Sequence, residues 1–189
     1  MIKLLILCLF VAVFAAMDFR PPRNMFDGYS TFARESGQFS HKIVLRALTW
    51  EDAQKYCQAE GASLTGFDSY EEAEFVFKMT LKVPTTIGFF IGGKRRDNCY
   101  SFTSNPSDRC GRPNIFQWVN NVASNPITDK MWTVGIWGEG DRKENPDTSG
   151  ECLSLRGTNI TWMDMSKGGY LDDMHCKSHL WFICGKQVF

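Results

Sequence analysis

Apolar positions along this chain change their spacing several times, and each change marks an element. His41 to Leu45 is a compact apolar-rich run that predicts a first strand, with the domain proper starting near Phe39. Trp50, Ala53 and Cys57 then fall at helical spacing and give one inward face. Thr49 caps that helix, with Asp52 three residues on to return to the backbone. Gly61 ends it, because glycine accepts the left-handed conformation found past a helix C-terminus. Leu64 to Phe67 predicts a short strand. Ser69 and Glu72 repeat the capping pattern, and Ala73, Val76, Phe77 and Thr80 carry a second helix that Val83-Pro84 stops. Thr86 to Gly92 is apolar and β-rich, as in a buried strand. The stretch from Val119 to Pro146 is rich in Asn, Gly and Pro and predicts a long loop. Cys152 to Arg156, Tyr170 to Asp173 and His179 to Gly185 close the chain as three strands, with Lys167-Gly168-Gly169 turning into the second.

The opening of the chain is of another kind. Lys3, the apolar run Leu4 to Phe14 and the small residues at Ala15 and Ala16 predict a signal peptide over residues 1–16. That run is too short to span a bilayer, which takes about 20 residues, and no later segment is long and apolar enough either. Residues 17–37 carry Arg20-Pro21-Pro22-Arg23 without sustained periodicity and read as an N-terminal arm before a domain over 38–189. Secretion places the chain where disulfides persist. Of its seven cysteines, Cys8 leaves with the leader, and the six that remain allow fifteen pairings.

Charge narrows the partners. Lys and Arg number 21, and Asp and Glu number 21, so the formal net charge is zero. Nucleic-acid affinity rests on phosphate neutralisation, which this balance does not favour. Lys94-Arg95-Arg96 is the one compact basic run and reads as a solvated turn, with an anionic glycan as the lesser alternative.

Four segments together resemble the C-type lectin-like domain: Thr49 to Cys57, Phe89 to Gly93, Cys152 to Leu155 and Leu171 to Cys184. The resemblance spans roughly residues 38–189 and includes Phe90-Ile91-Gly92 in place of the family's Trp-Ile-Gly segment, with Phe116-Gln117-Trp118 as the aromatic pair that follows. It implies an α+β fold of two helices, small antiparallel sheets and a long ligand-facing loop region. It also implies the bridges Cys57–Cys184 and Cys152–Cys176. Cys99 and Cys110 are near enough in sequence to staple an insertion, a feature of secreted invertebrate members.

Sugar-binding members hold calcium by oxygen ligands, and that ion takes 6–8 of them. The family supplies an acid-or-amide triplet around proline, a glutamate two residues before the third-last cysteine, and a Trp-Asn-Asp segment. Leu171-Asp172-Asp173 stands at the last of these and keeps its acidic oxygens. Asn145-Pro146-Asp147 has the chemistry of the triplet, whereas counting from Trp137 puts Asp141-Arg142-Lys143 there, with two cations where ligands belong. Gly150 occupies the glutamate position, and Glu151 comes one residue late. The implied calcium set is Asn145, Asp147, Glu151, Asp172 and Asp173. Neighbouring strand residues face opposite ways, so Asp172 and Asp173 need a bend to share one ion.

No Gly-x-Ser-x-Gly elbow or His-Glu-x-x-His motif occurs, and His175 and His179 flank a cysteine as surface or packing residues, so no enzyme is expected. Asn159-Ile160-Thr161 is a glycosylation sequon. The resemblance implies a secreted glycoprotein that binds carbohydrate, with a role in innate immunity. The competing expectation is a calcium-independent protein-binding domain or an extracellular structural protein.

Overall fold

A computed structural model describes residues 28–83, 88–100, 103, 105, 107–111, 114–128, 131, 150–157 and 170–189. The leader, the Asn145 and Asp141 triplets, Asn159 and the Lys167 turn lie outside these.

Strand β1 (Ser30–Arg34) turns into the long β2 (Gly37–Leu48). Thr49 then caps α1 (Trp50–Ala59). Its hydroxyl accepts from the Asp52 amide at 3.3 Å and donates to the Asp52 carboxylate at 2.9 Å, so the carboxylate meets the hydroxyl of Thr49 rather than its backbone amide, and only the capping half of the expected pattern forms. Gly61 follows at φ +68. The short β3 (Ser63–Leu64) leads to α2 (Tyr70–Thr80), where Ser69 Oγ accepts from the Glu72 amide at 3.1 Å. The remaining strands are β4 (Phe89–Arg95), β5 (Phe116–Trp118), β6 (Cys152–Leu155), β7 (Leu171–Met174) and β8 (Leu180–Val188).

These strands form one sheet in the order β1-β2-β8-β4-β6-β7, with β3 joined to β8 and β5 to β4. The α+β class stands, but the sheet is mixed and continuous rather than several small antiparallel ones. The cause is β4, which runs parallel to β8 with Phe89 opposite Trp181 and Phe90 opposite Phe182. That central strand is buried on both faces, which is why Phe89, Phe90 and Ile91 read as an apolar run rather than an alternation.

Residues 30–37 correct the expected arm. Ser30–Arg34 alternates half-buried with exposed positions and pairs with β2 from Ser30 against His41 to Arg34 against Gly37. Gly37 makes the hairpin at φ +121, a conformation that L side chains rarely adopt. The β1–β2 hairpin is therefore part of the domain's sheet.

The hairpin also delivers Arg34 into the interior. Its Nε donates to Glu72 Oε1 at 2.8 Å, and its other nitrogens donate to the carbonyls of Val122 and Gly66 at 2.8 Å each. His41 Nε2 meets the same Glu72 oxygen at 2.9 Å, and its Nδ1 meets Thr65 Oγ1 at 2.7 Å. The Arg34 guanidinium lies 3.6 Å from the Phe39 ring centroid. A buried charge pair survives only with such complete hydrogen bonding. This network ties β1, β2 and α2 together across the core.

Three disulfides staple the sheet. Cys57–Cys184 joins α1 to β8, Cys152–Cys176 joins β6 to the segment after β7, and Cys99–Cys110 closes a short loop beyond β4.

Candidate binding end around Asp173 and Glu151

Beyond the Cys152–Cys176 bridge, β4, β6 and β7 end together, and their terminal side chains form one polar cluster. Leu153 pairs with Asp173 and Ser154 with Asp172 across β6 and β7. Strand alternation then separates the two acids. Asp173 turns inward with a side chain 1% exposed, while Asp172 stays half-buried. The bend that one shared ion requires is absent from this pair.

Asp173 is fully engaged where it lies. Arg95, at the end of β4, brings Nη2 to 3.3 Å from Asp173 Oδ2. The Gly150 amide donates to the same oxygen at 2.9 Å. Arg95 Nε donates to the Gly150 carbonyl at 2.7 Å and Nη1 to the Cys99 carbonyl at 3.3 Å. Its guanidinium carbon stands 4.8 Å from the Phe116 ring. Gly150 is thus clamped between an acid and a base.

The same geometry explains why glycine occupies position 150. A Cβ there would overlap Asp173 Oδ2 and lie 2.6 Å from the Met174 amide nitrogen. A glutamate cannot occupy this position while the backbone runs so close to β7. Asp172 has a local duty as well, since its Oδ1 accepts from the Asp173 amide at 3.0 Å. Glu151 is exposed and lines a cavity of about 570 Å³ with Lys94, His175 and Lys177.

These described residues do not suit a calcium ion at Asp173. A buried guanidinium already supplies the positive charge that the carboxylate needs, and a divalent ion beside it would meet strong repulsion. Among the described residues no group of three or more acids, histidines or cysteines is disposed to hold a metal. His175 and His179 are both exposed.

Sequence reasoning finds Asp172, Asp173 and Glu151 but misses Arg95 as the partner of Asp173. Lys94-Arg95-Arg96 is not a solvated turn: Lys94 and Arg95 belong to β4, and alternation sends Arg95 inward. The signal in the sequence is that this basic run directly follows an apolar strand.

The sequence profile of C-type lectin domain-containing protein 141/158 matches residues 30–182. Snaclec crotocetin of Crotalus durissus terrificus is 45% identical over 96 residues, covering 50% of this chain and 53% of that protein. A chain of the Snaclec coagulation factor IX/factor X-binding protein of Echis carinatus is 44% identical over 46 residues, 23% of this chain and 37% of its own length. The chain spans about half the length, or less, of the curated relatives it matches. The C-type lectin domain of murine dendritic cell inhibitory receptor 2, solved with an N-glycan, superposes with a TM-score of 0.55 at 17% identity, over 86% of this chain and 98% of that one. At that identity the likeness speaks for the fold alone. The invertebrate subtype finds no support in these relatives. Such lectin-like proteins are binding domains rather than enzymes. By the match across residues 30–182, the chain belongs to the C-type lectin domain-containing protein 141/158 family.

Proposed function

We propose that this chain is a secreted recognition domain that engages a protein partner at its Asp172–Glu151 end without calcium. The closed pair of Asp173 and Arg95 carries this reading, because it satisfies internally the carboxylate that a calcium-bound sugar would need. Secretion is supported by the apolar leader and by three disulfides, which persist in oxidising compartments. Among the described residues no helix is long and apolar enough to cross a membrane. Glycosylation at Asn159 belongs with the same secreted state. The Echis carinatus relative, whose name states binding of coagulation factors, favours a protein ligand.

Calcium-mediated carbohydrate binding, with the part in innate immunity that it would bring, is the second reading. It draws on the fold shared with the glycan-bound murine domain, and it requires Asp173 to leave Arg95 and join Asn145 and Asp147. Arrays of glycans and of extracellular proteins, each probed with calcium and with EDTA, separate the two. Protein binding that persists in EDTA is the expected result. Glycan binding that EDTA abolishes, with no protein bound, overturns the proposal.

A further inference from the structure

Two buried guanidinium groups of this fold are neutralised by carboxylates, Arg34 by Glu72 and Arg95 by Asp173. Arg156, the residue after β6, is 3% exposed and has no such partner. Among the described residues it forms no ion pair, and its Nε and Nη1 meet no hydrogen-bond acceptor. Buried polar groups are satisfied in the great majority of cases, by protein, water or an ion.

The contacts that Arg156 does make are aromatic. Its guanidinium carbon stands 4.8 Å from the Phe77 ring centroid and 5.4 Å from that of Tyr170. Those two rings lie 4.9 Å apart, and the Tyr70 hydroxyl donates to the Tyr170 hydroxyl at 3.4 Å. The backbone holds the group in place, since the Arg156 amide donates to the Tyr170 carbonyl at 2.8 Å and the Tyr170 amide to the Met131 carbonyl at 2.7 Å.

A guanidinium does not shed its proton to escape burial. Ring faces attract a cation but carry no net charge and leave the N–H groups unmatched. An unpaired charge in such a place is strongly destabilising. Burial also pushes the Tyr170 pKa up, so its hydroxyl stays protonated, and with Tyr70 donating to it that proton is left to give. Glu74 acts on Tyr170 only from a distance and is held by Lys78 at 3.2 Å.

We propose that Arg156 is the centre of a chloride site. The anion accepts from the free guanidinium N–H groups, with the Tyr170 hydroxyl as a further donor and Phe77 as an apolar wall. One positive charge among neutral rings matches a small monovalent anion, whereas a divalent one would leave net charge buried. The site uses no residue of the Asp173 end, so it stands whatever that end binds.

Thermal melting of the full protein at constant ionic strength tests it, with sodium chloride exchanged against sodium gluconate, whose anion is too bulky for an enclosed site. The melting temperature is expected to rise by about 4 °C as chloride goes from about 1 to about 150 mM, and then to level off. Arg156→Met, similar in length and uncharged, is expected to lose this dependence and to melt no lower than the wild type in gluconate. A wild-type melting temperature indifferent to chloride overturns the proposal, as does an equal rise in Arg156→Met. Should Arg156→Met fail to fold, wild-type crystals soaked in bromide decide. An anomalous peak in contact with the Arg156 guanidinium is the expected result, and bromide on exposed side chains only overturns the proposal.

Discussion

Replacing Glu72 by alanine is expected to destabilise the fold by about 3–5 kcal/mol, the usual result of stripping one partner from a buried ion pair. The carboxylate is fully buried and receives Arg34, His41 and the Asp68 amide, the last at 2.7 Å. Without it, the Arg34 guanidinium, 4% exposed, keeps among the described residues only the 3.5 Å contact to Asp68 as an ion pair. Replacing Arg34 and Glu72 together by methionine removes both charges, and the loss is expected to be well below that of Glu72→Ala alone. Chemical denaturation of the two variants measures this; equal losses would mean that packing, not charge, governs the site. His41 adds a pH signature. Burial holds its pKa below the ordinary value of 6.5, against the opposing pull of Glu72. The unfolded chain therefore binds the proton first. Stability from this group is complete above pH 6.5 and is lost as pH falls below it towards the folded pKa.

Removing the long bridge, Cys57→Ala with Cys184→Ala, is expected to lower stability by about 5 kcal/mol in the chain-entropy model. The bridge spans 127 residues and ties α1 to the central β8 strand. The Cys152–Cys176 bridge spans 24 residues, and its removal is expected to cost about 3 kcal/mol on the same basis. Denaturation midpoints of the two double variants give the order. A larger loss for the shorter bridge would shift the weight from chain entropy to local packing around β6 and β7.

Local signals carry most of the scaffold. Thr49 and Ser69 cap their helices as their spacing predicts, and Ala73, Val76, Phe77 and Thr80 all face inward. Such information lies within one or two helical turns. Strand β1 is not legible, because five residues of alternation next to Arg20-Pro21-Pro22-Arg23 do not distinguish a strand from a tail. Its pairing is fixed by Gly37 and by Arg34 reaching Glu72, 38 residues away. The binding end is half legible for the same reason. Leu171-Asp172-Asp173 stands out by its distance to Cys176, but Arg95 meets Asp173 across 78 residues. No periodicity encodes that contact. Gly150 is the remaining clue: read as a lost ligand position in sequence, it is in space the point where β7 leaves no room for a side chain.

On the proposed function, Arg95 supplies the charge that would otherwise come from a metal at Asp173. Thermal melting of the full protein in EDTA and in millimolar calcium tests it most directly, since an ion that binds only the folded state must raise the melting temperature. An unchanged melting temperature is the predicted result. A rise of several degrees on adding calcium, reversed by chelator, would contradict it and put Asp173 back among the ligands of an ion.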